Sequence, residues 1–199
     1  MFNKPVGCVS ARVDANNKTI LDYFQGEDIS ELRIVGRLDK NTHGLIFVTD
    51  DTKWLEYVTN PANKIEKKYF FWSMSDLYEK DLSSIEEGVV LTGAAKVTSP
   101  ARIELTGKST FGQIRHLITG RGAQKLLKNK DDFPVTSGYI TVTEGKKHEV
   151  RRLLKATGGC VIYLKRVSMA GIELDDTLLP GCFKRISVDY NNSSTHKNQ

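Results

Sequence analysis

Cysteine is sparse in this chain. Cys8, Cys160 and Cys182 are the full complement, an odd number with no CxxC pair. That excludes a disulfide framework and a zinc ribbon, and it fits reduced thiols. Four histidines are scattered without metal-ligand spacing, so no metal site is expected. No apolar run approaches the roughly 18 residues needed to span a bilayer. The start, "MFNKPVGCVS", lacks the charged and apolar regions of a signal peptide. A cytoplasmic protein with no membrane partner is the expectation. The tail "NNSSTHKNQ" has no apolar residue to bury, which predicts disorder over 191–199.

What is present suits a globular protein. The chain has 199 residues, 39% of them hydrophobic, enough to build a sizeable core. Its formal net charge of +5 and sequence pI of about 9.0 favour an anionic partner such as nucleic acid. The charge is unevenly spread. From Gly107 to Lys130 stand Lys108, Arg115, Arg121, Lys125, Lys128 and Lys130, with no acidic residue between them. Such a stretch is either a solvated loop or an arm that follows a phosphate backbone. Within it, "TGKST" (106–110) imitates the end of a phosphate-binding P-loop. The required glycine five positions before Gly107 is replaced by Arg102, so a nucleotide-binding loop is rejected.

Hydrophobic patterning predicts more strands than helices. "GCVSA" reads as a short strand after the turn "NKPVG", and "KTILDYF" as a short helix. "GLIFVT" (44–49) is a continuous apolar run of strand type. Asp50 or Asp51 can cap a helix through "TKWLEYV", which "NP" at 60–61 ends. "KKYFFWSM" (67–74), "ARIEL" (101–105), "GYITVT" (138–143), "CVIYLKRVSM" (160–169) and "FKRISV" (183–188) read as strands. "YEKDLSSIEEGV" and "KHEVRRLLKATGG" (147–159) have helical spacing. Without a regular βαβ alternation, the expected class is α+β with a mostly antiparallel sheet.

Chemistry could reside in "VGRLDKNTHGLIFVTDD" (35–51). Asp39 sits between Arg37 and Lys40 in a turn-forming segment, where aspartate often serves only its own backbone. Other elements give it a second reading. In "EKKY" (66–69), Tyr69 and Phe71 face one side of a strand and Phe70 and Trp72 the other, so one pair can meet a cleft. An aromatic beside lysines can stack on a base, worth about 1–3 kcal/mol. In "EGKKHEVRRLLKATGG" (144–159), Arg151 and Arg152 point about 100° apart and so suit different tasks. "NKPVG" carries Lys4 in a tight turn.

Together these elements resemble the bacterial ribosomal RNA pseudouridine synthases of the RsuA type. The likeness runs from "FNKPVG" to "LPGCFKRI", with "GRLDKNTHGL" its most specific element, followed by "EKKY", "EGKKHEVRRL" and "VIYLKRVSMAGIEL" in the family's order. The resemblance implies a pseudouridine synthase fold, a mixed, mainly antiparallel sheet in two lobes with a central cleft, over residues 1–190. It implies Asp39 as catalytic nucleophile. Tyr69 packs on the target base, Arg151 pairs with the aspartate, Leu164 lines the cleft, and Arg37 joins them in binding substrate. Lys4, Lys67, Lys147 and Arg152, with Arg121, Lys125 and Lys128 of the basic stretch, are candidate RNA contacts. The implied reaction breaks the N1 glycosidic bond of a uridine in ribosomal RNA, turns the base and rejoins it through C5. The attack is on the sugar or on the uracil ring. No cofactor or metal is used, the partner is ribosomal RNA or a ribosomal subunit precursor, and the protein is a monomer. A non-catalytic RNA-binding or ribosome-assembly module on the same fold is the alternative. A third reading, a metal-dependent nuclease using Asp39, Asp50 and Asp51, meets the obstacle of a whole strand between these carboxylates.

Three departures stand out. Family members commonly carry a small RNA-binding domain ahead of "NKP"; the sequence here opens at that element, and a catalytic body without the domain is expected. Glu149 stands where the family commonly has glutamine. The basic stretch at about 107–137 is longer than the usual connection, and it is expected to compensate in part for the missing domain.

Overall fold

A computed structural model describes residues 1–78, 80, 82–91, 96–118 and 129–188. It is an α+β fold on one eight-stranded mixed sheet. The strands are β1 (Phe2–Lys4), β2 (Arg33–Val35), β3 (His43–Thr49), β4 (Lys67–Met74), β5 (Arg102–Thr110), β6 (Pro134–Val142), β7 (Val161–Met169) and β8 (Ile172–Glu173). Their order is β1-β3-β7-β4-β6-β5, with β2 paired to β3 and β8 to β7. All pairings are antiparallel except β3 with β7. The helices are α1 (Thr52–Thr59), α2 (Ser83–Glu87), α3 (Phe111–Ile114) and α4 (Glu149–Ala156). None is long and apolar enough to cross a membrane.

The alternation expected in "KKYFFWSM" is what builds the core. Tyr69 and Phe71 point inward and are buried, joined by Leu164 of β7, Ile140 of β6 and Val150, Leu153 and Leu154 of α4. On the opposite face Phe70 and Trp72 pack with Tyr139 and Tyr163. A second apolar cluster joins Val35, Leu45, Phe47, Trp54, Val58 and Met169.

Several predicted elements are replaced. "GCVSA" forms no strand: Val9 makes only a single bridge to Thr19, and the strand lies earlier, at β1. "KTILDYF" gives one 3-10 turn, Leu21–Tyr23, whose Asp22 carboxylate accepts from the Thr19 N–H. "FKRISV" is not a strand either. Phe183 bridges Phe2 and stacks on Phe24 at 4.4 Å, an anchor by side chain rather than by ladder. Within the helix expected over "YEKDLSSIEEGV", the five residues Ser83–Glu87 are helical and end at Gly88, with φ of 94°. "TGKST" lies within β5, and its Lys108 pairs with Asp76, so it has no P-loop geometry. The ends of the basic stretch are likewise strand: Gly107 lies opposite Ser137, and Thr110 opposite Pro134. Arg121, Lys125 and Lys128, and the tail 191–199, lie outside the described residues.

Candidate active site

The segment Gly36–Thr42 joins β2 to β3 and forms one wall of the main cleft, a cavity of about 980 Å³. Gly36 has φ of 73°, a conformation glycine adopts without penalty, and it turns the chain into this segment. The backbone of Asp39 closes a turn: its carbonyl accepts from the Thr42 N–H at 3.0 Å. Its carboxylate does something else. It lines the cleft, about a third exposed, and accepts none of the hydrogen bonds of the described residues. The backbone of Asp39 therefore serves the turn, while its side chain faces the cleft.

Lys4 holds this turn from beneath. It is fully buried, and its ammonium donates to the carbonyls of Asp39 (3.0 Å), Thr42 (3.0 Å) and Pro5 (3.1 Å). Burial lowers its pKa to about 8, partly opposed by the nearby Asp39 carboxylate. Lys4 is thus no RNA contact, contrary to the sequence expectation. A lysine in a tight turn reads as solvated, and only the third dimension shows three carbonyls converging on it.

The cleft gathers Asp39, Arg37, Tyr69, Leu164, Arg151, Lys67 and Lys147. Tyr69 and Leu164 are supplied by the inward faces of β4 and β7, and Arg151 by α4. Arg151 does not touch Asp39. Its guanidinium donates to the carbonyls of Val161 and Asn41, both at 2.9 Å, and its charge acts on Asp39 from a distance. The expected direct ion pair is replaced by a cation that fixes the backbone on both sides of the site. Among the described residues, the ionisable group within ion-pair distance of the carboxylate is His148, whose Nε2 lies 3.6 Å from Asp39 Oδ1. His148 precedes α4 with φ of 53°, a left-handed conformation uncommon outside glycine and worth noting at a cleft. Lys67 is half-buried and bonds the Ile65 carbonyl at 2.7 Å, which makes it a wall rather than an outward RNA contact. Lys147 is exposed on the rim, whereas Arg152 is not part of the lining.

Sequence reasoning missed Arg166 and the carboxyl pair Glu144–Glu149. Arg166 is 1% exposed and lines the cleft beside Tyr69, donating to the Leu45 carbonyl at 2.7 Å and to the Tyr69 hydroxyl oxygen at 3.4 Å. The strand pairing, seen only in the structure, places it directly opposite Tyr69. Glu149 is buried, and burial together with the Glu144 carboxylate raises its pKa to about 7. Burial would raise Glu144 too, but hydrogen bonds from Lys146, Ser99 and the Glu149 carboxyl bring it down to about 2. Two ionised carboxylates can only accept, so the bond between them needs a proton, and Glu149 carries it. A neutral Glu149 then donates as a glutamine amide would, which rationalises a carboxyl acid at this position.

This pair has a measurable consequence. A carboxyl whose pKa rises on folding stabilises the fold fully only below its unfolded value, near 4.5. That stability is lost as pH rises toward and past about 7. Glu149→Gln removes the titration and keeps the shape. Between pH 5 and pH 8 the wild type should lose up to about 3 kcal/mol relative to this variant, by denaturant unfolding. Parallel pH profiles would show that the pair holds no proton.

Lysines and arginines dominate the remaining lining: Arg37, Lys40, Lys64, Lys67, Lys146, Lys147, Arg151 and Arg166 outnumber Asp39, Glu144 and Glu149. An anionic substrate is the natural occupant of such a cleft. Asp50 and Asp51 stand at the far end of β3, where Asp51 caps α1 by accepting from the N–H groups of Lys53 and Trp54. They share no site with Asp39, which removes the nuclease reading.

This sheet and cleft are those of the pseudouridine synthase fold. A solved structure described as a pseudouridylate synthase matches with a TM-score of 0.74 and 28% identity, covering 94% of this chain and 68% of that one. The family model for RNA pseudouridylate synthase matches residues 1–156. The chain belongs to that family, whose members are RNA-modifying isomerases, and it resembles the RsuA branch within it. An uncharacterized RNA pseudouridine synthase, YtzG of Bacillus subtilis, is 32% identical over 95% of this chain and 70% of its own length. Ribosomal small subunit pseudouridine synthase A of Vibrio cholerae is 31% identical with the same coverage.

Proposed function

We propose that this protein converts a uridine of ribosomal RNA to pseudouridine, with Asp39 as the nucleophile. The observation that carries the reading is the Asp39 carboxylate, left without a hydrogen-bond donor among the described residues in a basic cleft walled by Tyr69. An aspartate is ionised at neutral pH, as a nucleophile must be. Lys4 and Arg151 place positive charge near the Asp39 carboxylate. The target base leaves its stack at a cost of a few kcal/mol, offset by packing on Tyr69 and by phosphate contacts along the rim. The resemblance of the whole chain to a ribosomal small subunit synthase supports ribosomal RNA as the substrate. A cytoplasmic location follows from that substrate. Pseudouridine mapping of ribosomal RNA from cells with and without the gene tests this. One position should lose its pseudouridine; an unchanged map would remove ribosomal RNA as substrate.

Tyr69 separates stacking from hydroxyl chemistry. Tyr69→Phe keeps the ring and loses only the partner of Arg166, so turnover should fall by about tenfold or less. Tyr69→Ala loses the ring as well and should fall about 100-fold further, the equivalent of roughly 3 kcal/mol. If single-turnover rates of both variants stay near wild type, Tyr69 is only a core residue.

A further inference from the structure

The cleft contains a buried cation with an unused donor. Arg166 is 1% exposed, yet no carboxylate stands within ion-pair distance of it among the described residues. Its Nε and Nη1 are bonded to the Leu45 carbonyl and the Tyr69 hydroxyl, while its Nη2 has no partner among the described residues. Leaving a buried charged donor unsatisfied is costly, and native structures do so where a ligand completes the site. The guanidinium carbon lies 6.0 Å from the centre of the Tyr69 ring. The open donor is therefore beside the wall assigned to the target base, and this inference rests on that assignment.

We infer that Arg166 Nη2 binds a carbonyl oxygen of the target uracil and stabilises the negative charge that develops there as the base is detached. Isomerisation requires such charge by either route of attack. If Asp39 attacks C1′, the N1–C1′ bond breaks with its electron pair passing to the uracil, which spreads it over N1 and the two carbonyl oxygens. If Asp39 adds to the ring, the pair moves onto a carbonyl oxygen as an enolate. In the first route the C5–C1′ bond forms from the ring's electrons as the Asp39–C1′ bond breaks and returns its pair to the carboxylate. In the second the N1–C1′ bond breaks as C5–C1′ forms, and the bond from Asp39 to the ring then breaks. In both, C5 loses a proton and N1 gains one, so the sequence balances without oxidant or reductant. Arg166 keeps its own protons throughout. A preorganised donor in a water-poor site stabilises charge in the transition state without reorganising. The fork geometry of arginine suits this, since two of its nitrogens are already tied to the protein and the third is left with no partner among the described residues.

Binding of free bases to the wild-type protein gives the test. The probes are uracil, neutral at pH 8, and 5-nitrouracil, an acidified analogue that is anionic there. Wild type should bind 5-nitrouracil at least tenfold more tightly, and the preference should vanish when pH is lowered until that ligand is neutral. Arg166→Lys keeps a positive charge but loses the fork, and should abolish the preference. Equal affinities in wild type overturn the inference, and so does a preference that survives in Arg166→Lys, since the general field of the cleft would then suffice. Should the variant not fold, arginine side-chain NMR of the wild type decides. The slowly exchanging guanidinium signal of the buried arginine should shift on adding 5-nitrouracil, and an unmoved signal overturns the assignment. These readouts involve no turnover. A protein that binds the anion through Arg166 but makes no pseudouridine would uphold this inference and remove the proposed function.

Discussion

Asp39→Asn is expected to abolish pseudouridine formation while RNA binding survives. The change is almost isosteric. The turn that places residue 39 depends on its carbonyl, which accepts from Thr42 and from Lys4, and that carbonyl is retained. Asparagine also has the turn propensity of aspartate. What disappears is the charge and the nucleophilic oxygen. A lost covalent step of this kind removes at least about four orders of magnitude, on the order of 5 kcal/mol or more. Affinity should change by less than about threefold, because the lysines and arginines of the cleft remain and one negative charge among them is gone. The sign is informative: binding should become slightly tighter, not weaker. The measurements are tritium release from 5-tritiated RNA and filter binding of the same RNA. Turnover within about tenfold of wild type by a sequence-verified variant would show that Asp39 is only a turn residue.

The elements that were legible in the sequence are those whose own residues determine them. β4 carries a strict alternation and runs over the predicted residues, 67–74. The helix after "TDD" forms because Asp51 satisfies two of its first N–H groups, and it ends where Pro61 forbids continuation. The elements that were not legible depend on distant partners. β2 and β8 are three and two residues long and exist only as additions to β3 and β7. Phe183 looks like the start of a strand, but its ring has a ready-made slot against Phe24.

The site divides in the same way. Asp39, Tyr69, Leu164 and Arg151 were named through the family resemblance, and the structure brings them around one cleft. Geometry reassigns the lysines and adds Arg166. A buried lysine and a surface lysine have the same letter, and Lys4 differs only in the carbonyls that surround it. Arg166 lies in a strand whose neighbouring residues, Lys165 and Val167, give no hint that its side chain points into the core.

Gly44→Ala should cost more stability than any surface substitution, and the cleft should be lost with it. Gly44 begins the segment where β3 is wedged between β1 and β7, opposite Lys4 on one side and Arg166 on the other. Its φ is 102°, outside the regions open to alanine. An added Cβ would collide with the Arg166 carbonyl oxygen and lie 2.8 Å from its nitrogen and 3.0 Å from its carbonyl carbon. All three are backbone atoms of a central strand, so no side chain can swing aside. β3 and β7 would have to part, which breaks the Arg166 bond to Leu45 and the seating of Lys4 under the Asp39 turn. Strained φ alone costs about 1–2 kcal/mol, and the forced separation of packed strands should bring the total to about 4 kcal/mol or more. Gly171→Ala is the control. Gly171 also has positive φ, 74°, but a Cβ there meets nothing within 4 Å. It should lose only the conformational part, about 1–2 kcal/mol. Urea unfolding of both variants compares them directly, and equal losses would mean that β3 and β7 can separate at little cost. The functional consequence separates them too. Gly171→Ala should retain wild-type turnover at temperatures where it is folded. Any folded fraction of Gly44→Ala should turn over at least about 100-fold more slowly, because the strand that carries Arg166 and the turn that carries Asp39 meet at this one residue.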